Sequence, residues 1–214
     1  MDGDKEAAAR AALGEVQDGM LVGLGTGSTV GFLIAALAER QPRIECVATS
    51  EASAAAARAG GLVVRDMAEV ARVDLTIDGA DEIDRRLFAI KGAGGAMLRE
   101  KVVAAASERM VVIADGSKRV EAIGAAKLPV EVLPFARAFV AARLEALGAT
   151  VERRATLTDN GNLVLDAHFG AMPDPHALAA AIEAIPGALG HGLFLAEVDA
   201  AYVAVDGIVT RYTR

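Results

Sequence analysis

Four glycine-containing segments of this chain carry side chains that could bind anions or transfer protons. The first, residues 23–29 (GLGTGST), follows an apolar run and precedes a predicted helix. Its glycines would let the backbone approach an anion, while helix N-terminal amides and the hydroxyls of Ser28 and Thr29 would donate hydrogen bonds. The segment therefore predicts a phosphate-binding loop, although a tight turn without a ligand explains it equally well.

Two nucleotide-binding motifs do not fit the same segment. Ser28 stands where the dinucleotide-binding pattern G-x-G-x-x-G, counted from Gly23, needs its last glycine. A P-loop would need Gly-Lys followed by Ser or Thr, and the segment has neither. The segment therefore argues against a nicotinamide-dependent dehydrogenase and against a P-loop protein.

An acidic cluster, Asp78-Gly79-Ala80-Asp81-Glu82, directly follows the predicted strand 73–77. Three carboxylates in so short a segment repel one another and call for a cation, a hydrogen-bonding ligand or a metal. A solvated turn of the Asx type is the alternative interpretation. The cluster would, however, lie at the carboxyl edge of a parallel sheet, where such sheets bind their ligands.

A third segment, residues 91–101 (KGAGGAMLREK), begins with a lysine and runs into a predicted helix. Three glycines within residues 92–95 cost conformational entropy, and we expect a backbone nest that binds an anion in return. Glu100 lies near the start of that helix, where the helix dipole alone would favour an acid. Its neighbours make it a candidate base.

A fourth segment, residues 115–118 (DGSK), again follows a predicted strand, so that Lys118 either reaches the same sheet edge or lies on the surface. Only five of the 22 cationic residues are lysines. A lysine retained in so arginine-rich a chain suggests a position that needs a compact ammonium.

Alternating short apolar strands and helices position these segments. We predict strands at 20–24, 44–48, 62–64, 73–77 and 110–114 and helices at 4–16, 28–38, 51–59 and 97–108, with Ser28 or Thr29 capping the second helix. This pattern is typical of a Rossmann-like parallel sheet flanked by helices.

The pattern changes after residue 127. We predict strands at 128–134, on both sides of the turn 159–161 and at 192–197, with helices ending at 147 and spanning 175–184. This β-α-β-β-α-β order is typical of a ferredoxin-like α+β unit. Two further strands are predicted at 202–205 and 208–212, and at least one of them could return to the first sheet. The predicted domains are therefore residues 1–127 plus 200–214, and a smaller domain at 128–199.

The composition limits the function classes. The chain has 214 residues, a formal net charge of −7 and 53% hydrophobic residues, which argues against a nucleic-acid backbone binder and against disorder. Cys46 is the single cysteine and is predicted to be buried; the three histidines show no zinc-ligand spacing. With no leader-like or membrane-spanning segment, we expect a cytoplasmic protein.

The four motifs, in this order and at these spacings, resemble ribose-5-phosphate isomerase of type A. The resemblance extends to LPVEVLPFAR (128–137), TDNGN (158–162) and AIPG (184–187). It implies isomerisation of D-ribose 5-phosphate and D-ribulose 5-phosphate without metal or organic cofactor, and a homodimer or a tetramer of such dimers. By position it implies a base at Glu100, phosphate-side lysines at Lys118 and Lys5, and three substrate loops: Thr26, Gly27, Ser28 and Thr29; Asp78, Gly79, Ala80 and Asp81; Lys91, Gly92, Ala93 and Gly94.

The residues themselves suit such a reaction. Aldose–ketose isomerisation needs a base, oxyanion donors and a phosphate anchor. Asp78 and Asp81 would bind sugar hydroxyls and assist ring opening, and Lys91 would neutralise the enediolate or hold the aspartates in place. A helix N-terminus and nearby lysines should depress the pKa of Glu100, an effect that desolvation by a bound sugar could offset.

A non-catalytic phosphosugar sensor is the alternative function. The fold also resembles effector-binding domains of some bacterial sugar regulators. Such regulators carry a DNA-binding module, and none is found before residue 20. The combination of Glu100, Asp78, Asp81 and Lys91 favours catalysis.

Overall fold

The computed structural model describes residues 1–214, in which helices and strands alternate along most of the chain. The six helices are α1 (Asp2–Ala12), α2 (Ser28–Arg40), α3 (Glu51–Ala59), α4 (Met97–Ala105), α5 (Arg137–Ala146) and α6 (Pro175–Glu183). The first seven strands are β1 (Leu21–Leu24), β2 (Glu45–Ala48), β3 (Val63–Val64), β4 (Leu75–Asp78), β5 (Glu82–Ile83), β6 (Ala89–Ile90) and β7 (Met110–Asp115). The others are β8 (Leu128–Val132), β9 (Thr150–Arg153), β10 (Leu163–His168), β11 (Ala188–His191), β12 (Leu193–Phe194), β13 (Ala200–Val205) and β14 (Ile208–Thr213).

A seven-stranded sheet with the order β14-β13-β7-β4-β1-β2-β3 forms the centre. All neighbours pair in parallel except β13 and β14. All six residues of β7 are buried, as expected for a parallel strand covered on both faces. The Rossmann-like sheet flanked by helices is confirmed, and so is the return of the last two strands to it.

Helices cover both faces of this sheet. Side chains of α1, α2 and α3 share one core cluster with β1, β4 and β7, while α4 packs Val103 against Val47 and Val73 on the other face. Close approach of α4 depends on Gly23, since a Cβ there would lie 2.7 Å from Val103 Cγ1 and 2.2 Å from Thr76 Oγ1. The N-terminal half of α4, with Glu100, thereby lies near Asp78 at the end of β4, since both carboxylates contact the Lys91 ammonium.

The β8–β11 segment forms an antiparallel sheet with the order β11-β8-β10-β9. Its strands alternate with α5 and α6, which confirms the ferredoxin-like unit. The division of the chain into two domains at the stated residues stays a prediction.

A small sheet that the sequence did not indicate, β12-β6-β5, lies between these two sheets. The strand predicted at 192–197 as the last strand of the ferredoxin-like unit was wrong. That last strand is β11, which ends at His191, and the residues that follow form β12, which pairs with β6 instead. The chain turns at Gly192, whose carbonyl accepts from Lys91 N at 2.9 Å. A Cβ at Gly192 would lie 2.1 Å from the Lys91 carbonyl oxygen, so the turn requires glycine.

The turn 159–161 also differs from a tight hairpin. β9 ends at Arg153 and β10 begins at Leu163, leaving a nine-residue loop that folds over a buried carboxylate. Glu131 Oε1 on β8 accepts hydrogen bonds from Thr158 Oγ1 at 2.9 Å, Asn160 Nδ2 at 3.0 Å and Asn162 Nδ2 at 2.8 Å.

No helix in the structure has the length and apolar character needed to cross a bilayer.

Candidate active site

The four glycine-containing segments meet around one cavity of about 240 Å³. It lies where β1, β4 and β7 end, the edge at which parallel sheets bind ligands. Its lining consists of Lys5, Thr26, Gly27, Ser28, Thr29, Gly79, Ala80, Asp81, Lys91, Gly92, Ala93, Gly94, Glu100 and Lys118. Every predicted site residue therefore lines this cavity except Asp78, which lies fully buried beneath it.

A buried group of three charges forms the floor of the cavity. The Lys91 ammonium lies 2.7 Å from Asp78 Oδ2 and 3.1 Å from Glu100 Oε2. It also donates to the carbonyl oxygen of Gly79 at 2.6 Å. The three side chains are between 1% and 3% exposed, so little water screens them. One cation thus faces two carboxylates in a dry environment.

This environment sets the protonation of the group. Burial raises the pKa of Glu100 to about 7; the Lys91 ammonium opposes that shift, and Asp78 and Asp81 add to it. Burial alone would lower the pKa of Lys91, but Asp78 and Glu100 raise it above its ordinary value, so Lys91 stays charged. The expected depression of the Glu100 pKa is therefore wrong, because the protein itself desolvates the carboxyl group.

Asp78 joins the first loop to the second. Its Oδ1 accepts from the backbone N–H groups of Thr26 at 3.0 Å and Gly79 at 2.7 Å. The approach requires Gly25, since a Cβ there would lie 1.8 Å from Asp78 Oδ1. The geometry of the site therefore requires Gly25, to which the sequence alone assigned no separate role. The one sequence signal for it was its position between Gly23 and Gly27.

Asp81 joins the second loop to the third. Its Oδ2 accepts from the Ala93 N–H at 2.9 Å. Within that loop the left-handed backbone conformations fall at Gly92 and Gly95, with φ of 102° and 81°, and Ala93 has no positive φ. Alanine is therefore compatible with its position, while the glycines on either side provide the turn.

The other end of the cavity is cationic. Lys5 on α1 donates to Ser28 Oγ at 3.1 Å, and Lys118, which follows β7, also lines the cavity. The predicted capping by Ser28 or Thr29 is wrong: the cap residue is Gly27 with φ of 114°, and no side chain caps α2. Both hydroxyls instead line the cavity beside the free N-terminal amides of α2, a geometry that suits a phosphate.

One residue near the site had no sequence signal. Arg154, which follows β9, donates through Nη1 to the carbonyl oxygens of Gly92 at 3.0 Å and Ala93 at 2.8 Å. It therefore reaches the third loop from the ferredoxin-like unit. It lies outside every glycine motif, so spacing along the chain could not associate it with the site.

Comparisons with known proteins identify the family of the chain. The family model for ribose 5-phosphate isomerase A (phosphoriboisomerase A) matches residues 45–207. Ribose-5-phosphate isomerase A of Sphingopyxis alaskensis is 52% identical over 214 residues, covering 96% of this chain and 94% of that protein. The Gloeobacter violaceus protein of the same name is 50% identical over 213 residues, covering 95% and 93%.

Solved structures show the same fold. Ribose 5-phosphate isomerase A from Neisseria gonorrhoeae has a TM-score of 0.96 and 36% identity, covering 99% of this chain and 96% of that one. A D-ribose-5-phosphate isomerase in complex with phospho-erythronic acid has a TM-score of 0.94 and 31% identity, covering 98% and 97%. With a family model over most of its length and relatives at half identity, the chain belongs to the ribose 5-phosphate isomerase A family.

Proposed function

We propose that this chain interconverts D-ribose 5-phosphate and D-ribulose 5-phosphate through an enediolate, with Glu100 as the group that moves the proton. The observation that carries the proposal is the burial of Glu100 beside Lys91 and Asp78: desolvation raises the pKa of its carboxyl to about 7, although the Lys91 ammonium opposes that shift. A general base is most effective when its pKa lies near the working pH. An ordinary surface glutamate would be a much weaker base.

The cavity suits a small polar anion. Among its lining residues only Ala80 and Ala93 are hydrophobic. Lys5, Lys118, Ser28 and the N-terminus of α2 supply the phosphate-binding end, and the carboxylates lie at the other wall. The related isomerase that was solved with phospho-erythronic acid binds a molecule of this chemical class.

The proton transfer keeps charge balanced around Lys91. When Glu100 takes the proton from C2, the negative charge passes from its carboxylate to the oxygens of the enediolate. The Lys91 ammonium stabilises that charge in either place, while Asp78 remains paired with it at 2.7 Å. The protonated Glu100 then returns the proton to C1.

The two aspartates take different roles. Asp78 is buried, and its oxygens are occupied by Lys91 and by the N–H groups of Thr26 and Gly79. Asp81 lines the cavity and uses one oxygen, Oδ2, for Ala93. Asp81 is therefore the group that contacts sugar hydroxyls and assists ring opening, and Asp78 orients Lys91.

Isomerisation in D₂O tests the proposal. Purified, EDTA-treated protein should convert ribose 5-phosphate and introduce solvent deuterium at C1 of ribulose 5-phosphate. Glu100→Gln should lose the conversion, and Glu145→Gln, at an exposed glutamate on α5, should keep it. Wild-type turnover in Glu100→Gln would refute the role of Glu100, and binding of ribose 5-phosphate without conversion would favour a sensor.

Two finer expectations belong to the same proposal. The homodimer that the family resemblance implies would be measured by sedimentation of the purified protein. The expected cytoplasmic location would be measured by fractionation of cells that produce the protein.

A further inference from the structure

Arg154 connects the four-stranded sheet to the loop of Lys91, Gly92, Ala93 and Gly94. Its side chain is 20% exposed. One edge of its guanidinium binds Asp166 on β10, with Nε 2.8 Å from Oδ2 and Nη2 2.7 Å from Oδ1. A two-point ion pair of this kind fixes the plane of the guanidinium. The remaining nitrogen, Nη1, is thereby aimed at the loop.

The contacts of Nη1 fix two successive peptides. It donates to the carbonyl oxygens of Gly92 and Ala93. In a trans peptide the carbonyl and the N–H point in opposite directions, and the chain has no cis peptide. The N–H groups of Ala93 and Gly94 therefore point away from Arg154, towards the cavity. The Ala93 N–H meets Asp81, and the Gly94 N–H forms no hydrogen bond within the chain.

The loop needs such a restraint because of its composition. Gly92 and Gly95 occupy left-handed conformations, with φ of 102° and 81°. Inside the loop, one hydrogen bond, from Gly95 N to the Gly92 carbonyl oxygen at 2.9 Å, holds the turn. Glycine-rich backbone has many accessible conformations, so contacts from outside must select one of them.

We propose that Arg154 is a positioning residue for the isomerisation, which holds the Gly94 N–H in the direction of a sugar oxygen that gains negative charge. The inference rests on the proposed function, because it takes the cavity as the active site. Donors fixed in advance stabilise a developing oxyanion without reorganising during the reaction. The positive charge of Arg154, placed on the carbonyl side of the same peptides, polarises them further in the favourable direction.

Kinetics of Arg154→Ala provide the first test. We expect kcat to fall about 10- to 100-fold, less than the loss seen when an oxyanion donor is removed outright. Arg153→Ala is the matched control, because Arg153 is the adjacent residue of β9, is exposed and forms no ion pair. Arg154→Ala leaves the Asp166 carboxylate without its ion-pair partner, and the double variant Arg154→Ala/Asp166→Ala removes that carboxylate as well. It should unfold at a higher temperature than Arg154→Ala and keep the low kcat.

Two measurements separate positioning from a merely structural role. Phospho-erythronate carries a planar carboxylate that resembles an enediolate, whereas inorganic phosphate probes only the cationic end. Arg154→Ala should bind phospho-erythronate about tenfold or more weakly and inorganic phosphate as wild type does. Guanidinium chloride at millimolar concentration should restore part of the kcat of Arg154→Ala, and sodium chloride at equal ionic strength should not.

The proposal is overturned if Arg154→Ala has the kcat of Arg153→Ala. It is also overturned if the affinity of Arg154→Ala falls equally for inorganic phosphate and for phospho-erythronate, since that result would show a general collapse of the cavity. Failure of the proposed function would look different, because the wild-type protein, with Arg154 intact, would then bind ribose 5-phosphate without converting it, or Glu100→Gln would retain turnover.

Discussion

Lys91 Nζ lies 3.1 Å from Glu100 Oε2, and neither side chain is more than 3% exposed. Burial raises the pKa of an acid, whereas a neighbouring cation lowers it. Here burial has the larger effect and raises the pKa of Glu100 to about 7, a value that suits a group proposed to accept and return a proton. The proposed base and its electrostatic partner are therefore in place without a bound sugar.

The rate of isomerisation should depend on pH through Glu100. Because the base must be ionised, kcat should rise with pH up to about 7 and then level off. Asp78→Asn should move this limb to lower pH, since the Asp78 carboxylate raises the pKa of Glu100. Profiles of kcat for both proteins check the prediction. A limb that stays at the same pH in Asp78→Asn would assign it to another group, such as the substrate phosphate.

The same titration should affect folding stability. Folded Glu100 binds its proton more tightly than unfolded Glu100, so its contribution is complete below about pH 4.5 and is lost as pH rises through about 7. The loss should be on the order of 3 kcal/mol, from the conversion of a pKa difference into free energy. Urea unfolding of wild type and Glu100→Gln at pH 5 and pH 8 measures it. Equal pH dependence in the two proteins would contradict the assignment.

Gly25 should tolerate no side chain. In Gly25→Ala the new Cβ would collide with Asp78 Oδ1, and the displaced carboxylate could no longer hold Lys91. We expect a loss of about 1–3 kcal/mol in unfolding free energy and a large fall in kcat. Gly31→Ala is the control, since nothing lies within 4 Å of a Cβ at this position of α2. It should be neutral or stabilise the protein by up to about 1 kcal/mol, because alanine favours a helix.

Lys118 should act mainly in substrate binding. Lys118→Ala removes a cation from the phosphate end of the cavity but leaves Lys91 and Glu100 in place, so KM for ribose 5-phosphate should rise more than kcat falls. Inorganic phosphate should also inhibit this variant less. Lys127→Ala removes an exposed lysine paired with Glu152 and should leave both constants unchanged. An unchanged KM in Lys118→Ala would contradict the anchoring role.

Glu131 should be important for stability rather than for chemistry. Glu131→Ala removes the acceptor shared by Thr158, Asn160 and Asn162, and should cost about 2–4 kcal/mol, since the buried Thr158 hydroxyl loses its partner. Glu152→Ala, at a surface ion pair, should cost less than about 1 kcal/mol. Denaturant unfolding compares the two variants. Equal losses would show that the loop is held by other contacts.

Much of the site could be predicted because its parts are local. Three of the four glycine segments directly follow a predicted apolar strand, and the carboxyl ends of parallel strands meet at one edge. The positions of Ser28, Asp81 and Lys118 around one cavity therefore followed from their order and spacing, whereas the place of Glu100 there was implied by the family resemblance. The strand predicted at 192–197 failed because its break depends on a contact between Gly192 and Lys91, about a hundred residues apart.

The amino-acid sequence by itself determined the family resemblance, the alternation of elements and the set of residues around the cavity. Only the tertiary structure decided that Asp78 lies beneath the cavity while Asp81 lines it, that Glu100 is dry enough to be a base, and that Arg154 holds the glycine loop. The physical reason is that spacing and periodicity act over a few residues. Desolvation and contacts between separate sheets arise only when distant parts of the chain pack together.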